Sequence, residues 1–295
     1  MLKGVIVAML TPFDQEGELY EEGVRGVASW LIEKGVHGLF VCGTAGEGML
    51  MSTEQRQRVA EIAVDEVKGR IPVIVHAGAL STAEAIALAR HAQSSGAQAA
   101  GVVAPPFYPM DHICLVDHFV HVAQAVPDFP VYLYNLPGLA KNDIAPSVVA
   151  DVCQQAGNVV GIKDSSRDVQ RLTDYAKAAP EGFEVIVGSD GILLDGLQAG
   201  AVAGVSALAS VFPEPVVGVW DGFVSGDLEM AQANQALIGK LRSAVKFGPY
   251  LGAYKEALRR RGVPAGYPRS PLRSLSDDEK VKAAELVDPF LAQLD

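Results

Sequence analysis

The sequence predicts a (β/α)8 TIM barrel with a C-terminal helical extension. Strand-like and helix-like segments alternate with a period of roughly 25–30 residues, a pattern typical of a parallel sheet. The strand-like segments are short, rich in β-branched residues and apolar on both faces, as expected where helices cover the sheet. Eight such units occupy about 220 residues, which is the number that closes a barrel.

A doubly wound open sheet is the alternative fold. That fold carries a glycine-rich phosphate-binding turn after its first strand. This chain has Leu10-Thr11-Pro12-Phe13 in that place, so the barrel is favoured.

Each element can be assigned in order. The expected strands are 4–10, 37–43, 71–78, 98–105, 129–135, 158–164, 183–190 and 201–208. Apolar residues spaced by three and four predict the helices between them, which start near Tyr20, after Ser52, after Ser81, at Asp111, at Pro146 and at Asp168. We expect residues 1–213 to form the barrel core, with the eighth helix continuing to about 225. Residues 226–295 then form the helical extension, which is broken at Gly248-Pro249 and at 262–271.

Composition excludes several classes of function. The 295 residues carry 35 acidic and 24 basic side chains, a formal charge of −11, so nucleic-acid binding is not expected. The three cysteines are widely spaced and form no CxxC pair, which indicates reduced thiols in a cytoplasmic protein. The apolar run at the N-terminus is too short for a membrane span and lacks a small-residue cleavage site. It is interpreted as the first strand.

Polar side chains collect where the strands end. In a barrel of this kind the C-terminal strand ends ring one mouth, and that mouth is where function is expected. The residues at these ends are Thr11, Thr44, Glu47, His76, Tyr108, Tyr134, Asn135, Lys163, Asp164, Ser189, Asp190 and Ser206.

Lys163 ends the apolar segment VVGIKD, where a charged side chain is unexpected. In a dry barrel mouth a neutral lysine amine is the usual nucleophile for a ketone, with which it forms a Schiff base. A salt bridge to a neighbouring acid and simple exposure to water are the alternatives. Tyr134 lies on the same face of its strand as Tyr132, so it is either a proton shuttle or an aromatic residue that fills the barrel.

Two further patterns concern ligands. The turn GTAGEG at 43–48 has the spacing GxxGxG, so it is not a dinucleotide fingerprint. Its backbone N–H groups and the Thr44 hydroxyl suit a carboxylate, although a plain glycine-rich turn is the alternative. His112, His118 and His121 fall on the predicted outer ring of helices, where surface or interface positions are favoured over metal binding. We expect no metal and no organic cofactor.

Four motifs together resemble a known family. GTAGE at 43–47, PPFYP at 105–109, YNLPG at 134–138 and GIKD at 161–164 fall in order at the ends of four strands. In this the chain resembles the dihydrodipicolinate synthase / N-acetylneuraminate lyase family of pyruvate-dependent class I aldolases, over essentially its whole length. The resemblance implies a (β/α)8 barrel, usually assembled as a homotetramer that is a dimer of dimers.

The resemblance also implies roles for the matching residues. Lys163 would be the Schiff-base lysine that attacks C2 of pyruvate, and Tyr134 would be the acid/base residue. Thr44 would hold the pyruvate carboxylate and relay protons to Tyr134. Tyr108 would complete that relay, in this family often by reaching into the neighbouring subunit's site. The expected partners are therefore pyruvate and an aldehyde.

Departures from the family pattern bear on the aldehyde. Many members have a second hydroxyl residue where this chain has Ala45, whose N–H can still bind a carboxylate. The arginine that follows YNxP in dihydrodipicolinate synthases is missing, which argues against that activity unless Lys141 substitutes. The Asp-Glu pair of neuraminate lyases is replaced by Asp190-Gly191.

The remaining runs look more like those of 2-keto-3-deoxy sugar-acid aldolases, and this is the preferred activity. The expected contacts to the substrate are Thr44, Ala45, Ser165, Ser189, Asp190, Val205 and Ser206. 4-Hydroxy-tetrahydrodipicolinate synthase and N-acetylneuraminate lyase are the enzymatic alternatives. A silent barrel that binds a keto acid without turnover is the non-enzymatic one. The identity of the aldehyde, its stereochemistry and the physiological direction are left open by the sequence.

Overall fold

Eight parallel strands close into a barrel in the order in which they occur along the chain. The computed structural model describes residues 2–294. The strands are β1 Gly4–Ala8, β2 Gly38–Val41, β3 Val73–His76, β4 Ala99–Val103, β5 Val131–Asn135, β6 Val159–Asp164, β7 Glu184–Val187 and β8 Ala203–Ser206. Pairing of β8 with β1 completes the closure. The predicted fold is thus confirmed, and the observed strands are shorter than the apolar segments from which they were predicted.

Helices surround the barrel and continue beyond it. They are α1 Glu21–Glu33, α2 Thr53–Val67, α3 Thr82–Ser94, α4 His112–Gln124, α5 Pro137–Ala140, α6 Pro146–Gln155, α7 Val169–Ala178, α8 Leu193–Gln198, α9 Pro213–Ser225, α10 Leu228–Ala244, α11 Tyr250–Arg260 and α12 Asp277–Leu294. The two short helices α5 and α8 were not predicted. None of the helices within residues 2–294 is both long and apolar enough to cross a membrane.

Side-chain caps explain why the predicted helices begin where they do. The Ser52 hydroxyl accepts the Gln55 N–H while the Gln55 side chain accepts the Ser52 N–H, a complete capping box. Ser81 caps α3, Asp111 caps α4 and Asp168 caps α7 in the same way, each accepting backbone N–H groups of the first turn. These caps favour the observed starts of α2, α3, α4 and α7.

Large aromatic rings fill the barrel where neighbouring strands carry glycine. A Cβ at Gly101 would lie 2.5 Å from the Phe40 ring, and one at Gly161 would lie 2.7 Å from the Tyr132 ring. Tyr132 donates a hydrogen bond of 2.6 Å to Glu184, which also accepts the Leu2 N–H at 2.9 Å. Tyr132 and Glu184 thus form a buried hydrogen-bonded cluster inside the barrel, together with the Leu2 N–H.

Candidate active site

The Lys163 side chain lies inside the barrel, only 6% exposed. Its Nζ is 3.8 Å from the centroid of the Tyr134 ring and 4.5 Å from that of Phe40. Within residues 2–294 it forms neither an ion pair nor a hydrogen bond. The amine is therefore packed against two aromatic rings and shielded from bulk water, with no carboxylate of the described residues beside it. Phe40 was not singled out from the sequence, because one aromatic residue in an apolar strand carries no distinguishing signal.

Tyr134 and Lys163 occupy paired positions on adjacent strands. Paired residues of neighbouring parallel strands point to the same side of the sheet, so both enter the barrel. The Tyr134 hydroxyl is 3.5 Å from Thr44 Oγ1, a distance at which either group can donate. Three of the predicted residues thus meet in one place although they come from three different strand ends.

The GTAGEG turn is tightly folded against the barrel. A Cβ at Gly48 would lie 1.7 Å from the Cys42 carbonyl oxygen, so only glycine fits there. The Glu47 N–H closes the turn on Thr44 O at 3.1 Å. Within residues 2–294 the N–H groups of Thr44 and Ala45 have no protein acceptor, which leaves two donors beside the Thr44 hydroxyl.

A buried ion pair anchors this turn to the helical extension. Lys255 of α11 and Glu47 are 2.6 Å apart, and both side chains are fully shielded from solvent. Lys255 also donates to the carbonyl oxygens of Thr11 at 2.6 Å and Tyr267 at 2.7 Å, while Glu47 accepts the Arg269 N–H at 2.7 Å. Desolvation outweighs the attraction of Glu47 and lowers the pKa of Lys255 to about 8. No local pattern in the sequence indicates this pairing, because Glu47 and Lys255 lie in different parts of the chain.

His76 packs beside the same tyrosine. Its ring centroid is 5.9 Å from that of Tyr134, and its carbonyl oxygen accepts a 2.7 Å hydrogen bond from the buried Arg56. Burial, with the positive charges of Arg56 and Lys163, holds the pKa of His76 well below its ordinary value. A neutral imidazole therefore lines this wall near neutral pH.

Asn135 and Asp164, both expected in the mouth, lie elsewhere. Asn135 and Asp164 directly follow Tyr134 and Lys163, so alternation along a strand turns their side chains outward. Asn135 donates to Asp164 at 2.8 Å and to the Tyr175 hydroxyl of α7 at 3.1 Å. They tie strands to helices and do not face the cavity, which corrects the prediction that every polar strand end points inward.

The residues expected around the aldehyde fall into two sets. Ala203 pairs with Ile186, whose side chain faces the barrel interior. Val205 lies two residues further along the same strand, so its buried side chain also faces the interior. Ser206 therefore turns away from the interior, where it donates to Asp190 and accepts the Ala209 N–H at 2.9 Å. Burial raises the pKa of the Asp190 carboxyl.

Ser165 and Ser189 differ in whether the hydroxyl already has a hydrogen-bond partner. Ser165 donates to the Gly188 carbonyl oxygen at 3.0 Å. Ser189 is half-buried, and its hydroxyl has no protein partner within residues 2–294. Among the three serines expected to contact the aldehyde, Ser189 is thus the one whose hydroxyl is free to donate.

Tyr108 does not enter the site of its own chain. It is 65% exposed, as is its neighbour Phe107 at 76%, and their rings pack edge-to-face. Phe107 has a φ of 84°, a left-handed conformation that side chains rarely adopt. Two large aromatic rings are thus held out on the surface beside the mouth.

The histidines of α4 do not gather. His118 is buried and bonded to Thr82 at 2.9 Å, which corrects the expectation of a surface position. His112 instead pairs with Asp151 at 2.7 Å. Within residues 2–294 no group of three or more His, Cys, Asp or Glu side chains is arranged to hold a metal ion.

A cavity of about 450 Å³ opens above Thr44 and His76. Apolar side chains dominate its lining, which includes Met49, Leu50, Val103, Leu136 and Leu139, together with Tyr250 of α11. The polar groups of this lining are those of Thr44, Glu47, His76 and Tyr250.

A lysine on the sixth strand of such a barrel, beside a tyrosine and a hydroxyl turn, defines the class of lysine-dependent aldolases and related lyases. The chain belongs to the Dihydrodipicolinate synthetase family, which it matches over residues 1–289. It is accordingly a lyase of the group of class I pyruvate aldolases.

Individual relatives cover nearly the whole chain. An uncharacterized DapA-like lyase of Halobacterium salinarum is 41% identical over 97% of this chain and 94% of its own length. The 4-hydroxy-tetrahydrodipicolinate synthase of Bartonella quintana is 33% identical, with 95% of each chain covered. The crystal structure of YagE from E. coli K12 in complex with pyruvate superimposes with a TM-score of 0.93 at 28% identity, covering 98% of each chain.

Proposed function

We propose that Lys163 forms a Schiff base with C2 of pyruvate and that the enzyme makes or breaks a C–C bond between pyruvate and a small hydroxylated aldehyde. The product of condensation is a 2-keto-3-deoxy acid. The observation that carries this proposal is the buried Lys163 amine 3.8 Å from the Tyr134 ring, with the Tyr134 hydroxyl beside Thr44. These groups supply a nucleophile, a proton carrier and an anion site in one pocket.

The steps follow from these positions. The Lys163 amine attacks C2 of pyruvate, and the carbinolamine loses water to give the protonated imine, with Tyr134 passing the proton to the departing hydroxyl. Tyr134 takes up a methyl proton to give an enamine, which adds to the aldehyde carbon as Tyr134 returns that proton to the aldehyde oxygen. Water then hydrolyses the imine and releases the product. Cleavage runs the same steps in reverse, and the imine serves as the electron sink.

The pyruvate carboxylate fits the turn that holds Thr44. Its oxygens would accept the free N–H groups of Thr44 and Ala45 together with the Thr44 hydroxyl. Ala45 supplies its backbone only, so this turn offers one hydroxyl donor fewer than a Thr-Thr pair. Thr44 also links the carboxylate to Tyr134, which keeps the proton relay next to the reacting carbon.

The aldehyde would bind on the wall formed after β7 and β8. Ser189 offers a free hydroxyl, and Asp190 offers an acceptor held in place by Ser206. Ser165 and Val205 would complete this proposed set of contacts. 4-Hydroxy-tetrahydrodipicolinate synthase activity is disfavoured, because Lys141, the cation that would have to substitute for the missing arginine, is exposed and follows the short helix α5 as its C-cap.

An aldehyde with an apolar body is the second candidate. The observation that favours it is the apolar wall around Leu136, Leu139 and Tyr250, which would contact such a molecule as it approaches Thr44. A panel with glyceraldehyde, aspartate semialdehyde, N-acetylmannosamine and benzaldehyde separates the candidates. The first proposal is wrong if benzaldehyde has the highest kcat/KM.

We also propose a homotetramer built as a dimer of dimers, in a reducing cytoplasm. The exposed Phe107 and Tyr108 support an interface beside the mouth, since two large aromatic rings are rarely left in water. Three unpaired thiols support the compartment. Light scattering after gel filtration tests the assembly, and a monomeric mass for the active enzyme contradicts it.

Borohydride reduction in the presence of pyruvate tests the imine. A permanent mass gain on the peptide that contains Lys163 is expected, and Lys163→Ala abolishes it. A silent keto-acid-binding barrel would give the adduct without turnover of any aldehyde. Absence of the adduct in the folded wild-type protein overturns the mechanism.

A further inference from the structure

His76 ends β3 and lies between Tyr134 and the turn that carries Thr44. Its side chain is only 2% exposed and lines the cavity. The imidazole, the Phe40 ring and the Tyr134 ring form a cluster in which each centroid is 5.9 Å from the other two. Both contacts of Tyr134 in this cluster are edge-to-face, with interplanar angles of 84°. Tyr134 therefore packs against two rings, while the Lys163 amine lies over its own ring.

The same imidazole contacts the base of the GTAGEG turn. His76 Nδ1 is 3.1 Å from the Cys42 carbonyl oxygen, and a Cβ at Gly48 would lie 1.7 Å from that oxygen. Cys42 directly precedes the turn and has a φ of 59°, a left-handed conformation that residues other than glycine rarely adopt. A hydrogen bond to its carbonyl oxygen therefore stabilises the peptide group that leads into the N–H groups of Thr44 and Ala45.

The buried Arg56 determines which imidazole nitrogen carries the hydrogen. Arg56 Nη2 donates to the His76 carbonyl oxygen at 2.7 Å and to that of Gly78 at 3.0 Å, which engages both of its hydrogens. Since a carbonyl oxygen can only accept, the contact with Cys42 requires a hydrogen on His76 Nδ1. Burial, with the positive charges of Arg56 and Lys163, holds the pKa of His76 well below its ordinary value, so Nε2 carries no hydrogen.

We propose that His76 is a positioning residue that joins the two parts of the pyruvate site, an inference that rests on the imine function proposed above. Its ring holds Tyr134 in the orientation from which the hydroxyl moves protons. Its Nδ1–H group holds the turn that receives the pyruvate carboxylate. The ring contact acts on the rate of imine formation, and the hydrogen bond acts on pyruvate binding. Because the two contacts use different parts of the imidazole, they can be removed separately.

Two substitutions make this separation. In His76→Asn the amide N–H takes the place of Nδ1–H, but the ring is lost. In His76→Phe the ring stays, but the donor to Cys42 is lost. Borohydride trapping over a range of pyruvate concentrations gives a half-saturating concentration and a maximal rate of adduct formation, and it needs no aldehyde. Circular dichroism confirms that each variant is folded.

The two variants should change different constants. His76→Asn should lower the maximal rate of adduct formation about 3- to 10-fold and leave the half-saturating pyruvate concentration unchanged. His76→Phe should raise the half-saturating concentration about 3- to 10-fold and leave the maximal rate unchanged. His118 of α4 is the matched control, since it is also buried and hydrogen-bonded, to Thr82 at 2.9 Å. His118→Asn and His118→Phe should leave both constants at their wild-type values.

The outcomes are separable from those of the parent proposal. If the folded His76 variants do not divide the two constants in this way, the inference is wrong while the wild-type adduct with pyruvate stays intact. Absence of that adduct in the wild type refutes the parent function instead. The 15N spectrum of the wild-type imidazole tests the arrangement without any substitution, so a variant that fails to fold does not decide the matter. Hydrogen on Nδ1 is expected, and hydrogen on Nε2 overturns the inference.

Discussion

Replacing Lys255 by methionine would break the buried ion pair that joins the GTAGEG turn to α11. Methionine keeps the unbranched shape of the side chain, so packing changes little. The substitution removes the 2.6 Å contact with Glu47 and the hydrogen bonds to the carbonyl oxygens of Thr11 and Tyr267. Glu47 is left in a fully shielded position with one backbone N–H, that of Arg269, still donating to it.

The magnitude follows from the burial of both partners. Breaking a buried pair on one side costs about 3–5 kcal/mol, here because Glu47 and the two carbonyl oxygens lose a buried donor that even a neutral amine would still supply. With an unfolding entropy of about 2.1 cal/mol/K per residue, the chain has a total of about 0.6 kcal/mol/K, and the midpoint of thermal unfolding should fall by about 5–8 °C.

Denaturant and thermal unfolding at pH 7 measure the loss, and a double variant provides the control. Glu47→Gln together with Lys255→Met removes both charges and should recover much of the stability, because neutral replacement of a buried pair is often tolerated. A loss below about 1 kcal/mol in Lys255→Met would contradict the stated contribution of the buried pair to the free energy of unfolding. A double variant less stable than the single one would contradict it as well.

Three further outcomes are expected. The pKa of Lys255 lies near 8 in the folded protein and near 10.5 when unfolded, so the unfolded chain binds more protons between these values. The contribution of Lys255 to the free energy of unfolding should therefore rise by about 2 kcal/mol between pH 7 and 9.5 in the wild type. Lys255→Met should lack that rise, and equal pH slopes for the two proteins would contradict the prediction. Tyr134→Phe should lower kcat about 100- to 10,000-fold without shifting the thermal midpoint, and full activity in steady-state assays would exclude its acid/base role. Tyr132→Phe removes the 2.6 Å hydrogen bond to buried Glu184 and should cost about 1–3 kcal/mol in denaturant unfolding while turnover persists; an equally stable variant would refute this.

Local patterns were sufficient for the architecture. The apolar strands and the capping residues Ser52, Ser81 and Asp168 predicted elements that the structure confirms, because hydrophobic period and capping chemistry are properties of neighbouring residues. Alternation within a strand also put Tyr132 and Tyr134 on one face. The same alternation places Asn135 on the opposite face from Tyr134 and so excludes it from the mouth. A list of polar strand ends alone does not separate the two faces.

The sequence by itself determined the barrel, the family and the strand ends at which Lys163, Tyr134 and Thr44 lie. Only the tertiary structure decided which of these polar residues meet. It placed Phe40 under the Lys163 amine, paired Glu47 with Lys255 and set Arg242 over Gly191. Such contacts join residues far apart in the chain, and they depend on how helices pack onto loops. A lysine or arginine in an amphipathic helix looks the same whether it ends in water or against a buried partner, so burial had to come from the fold.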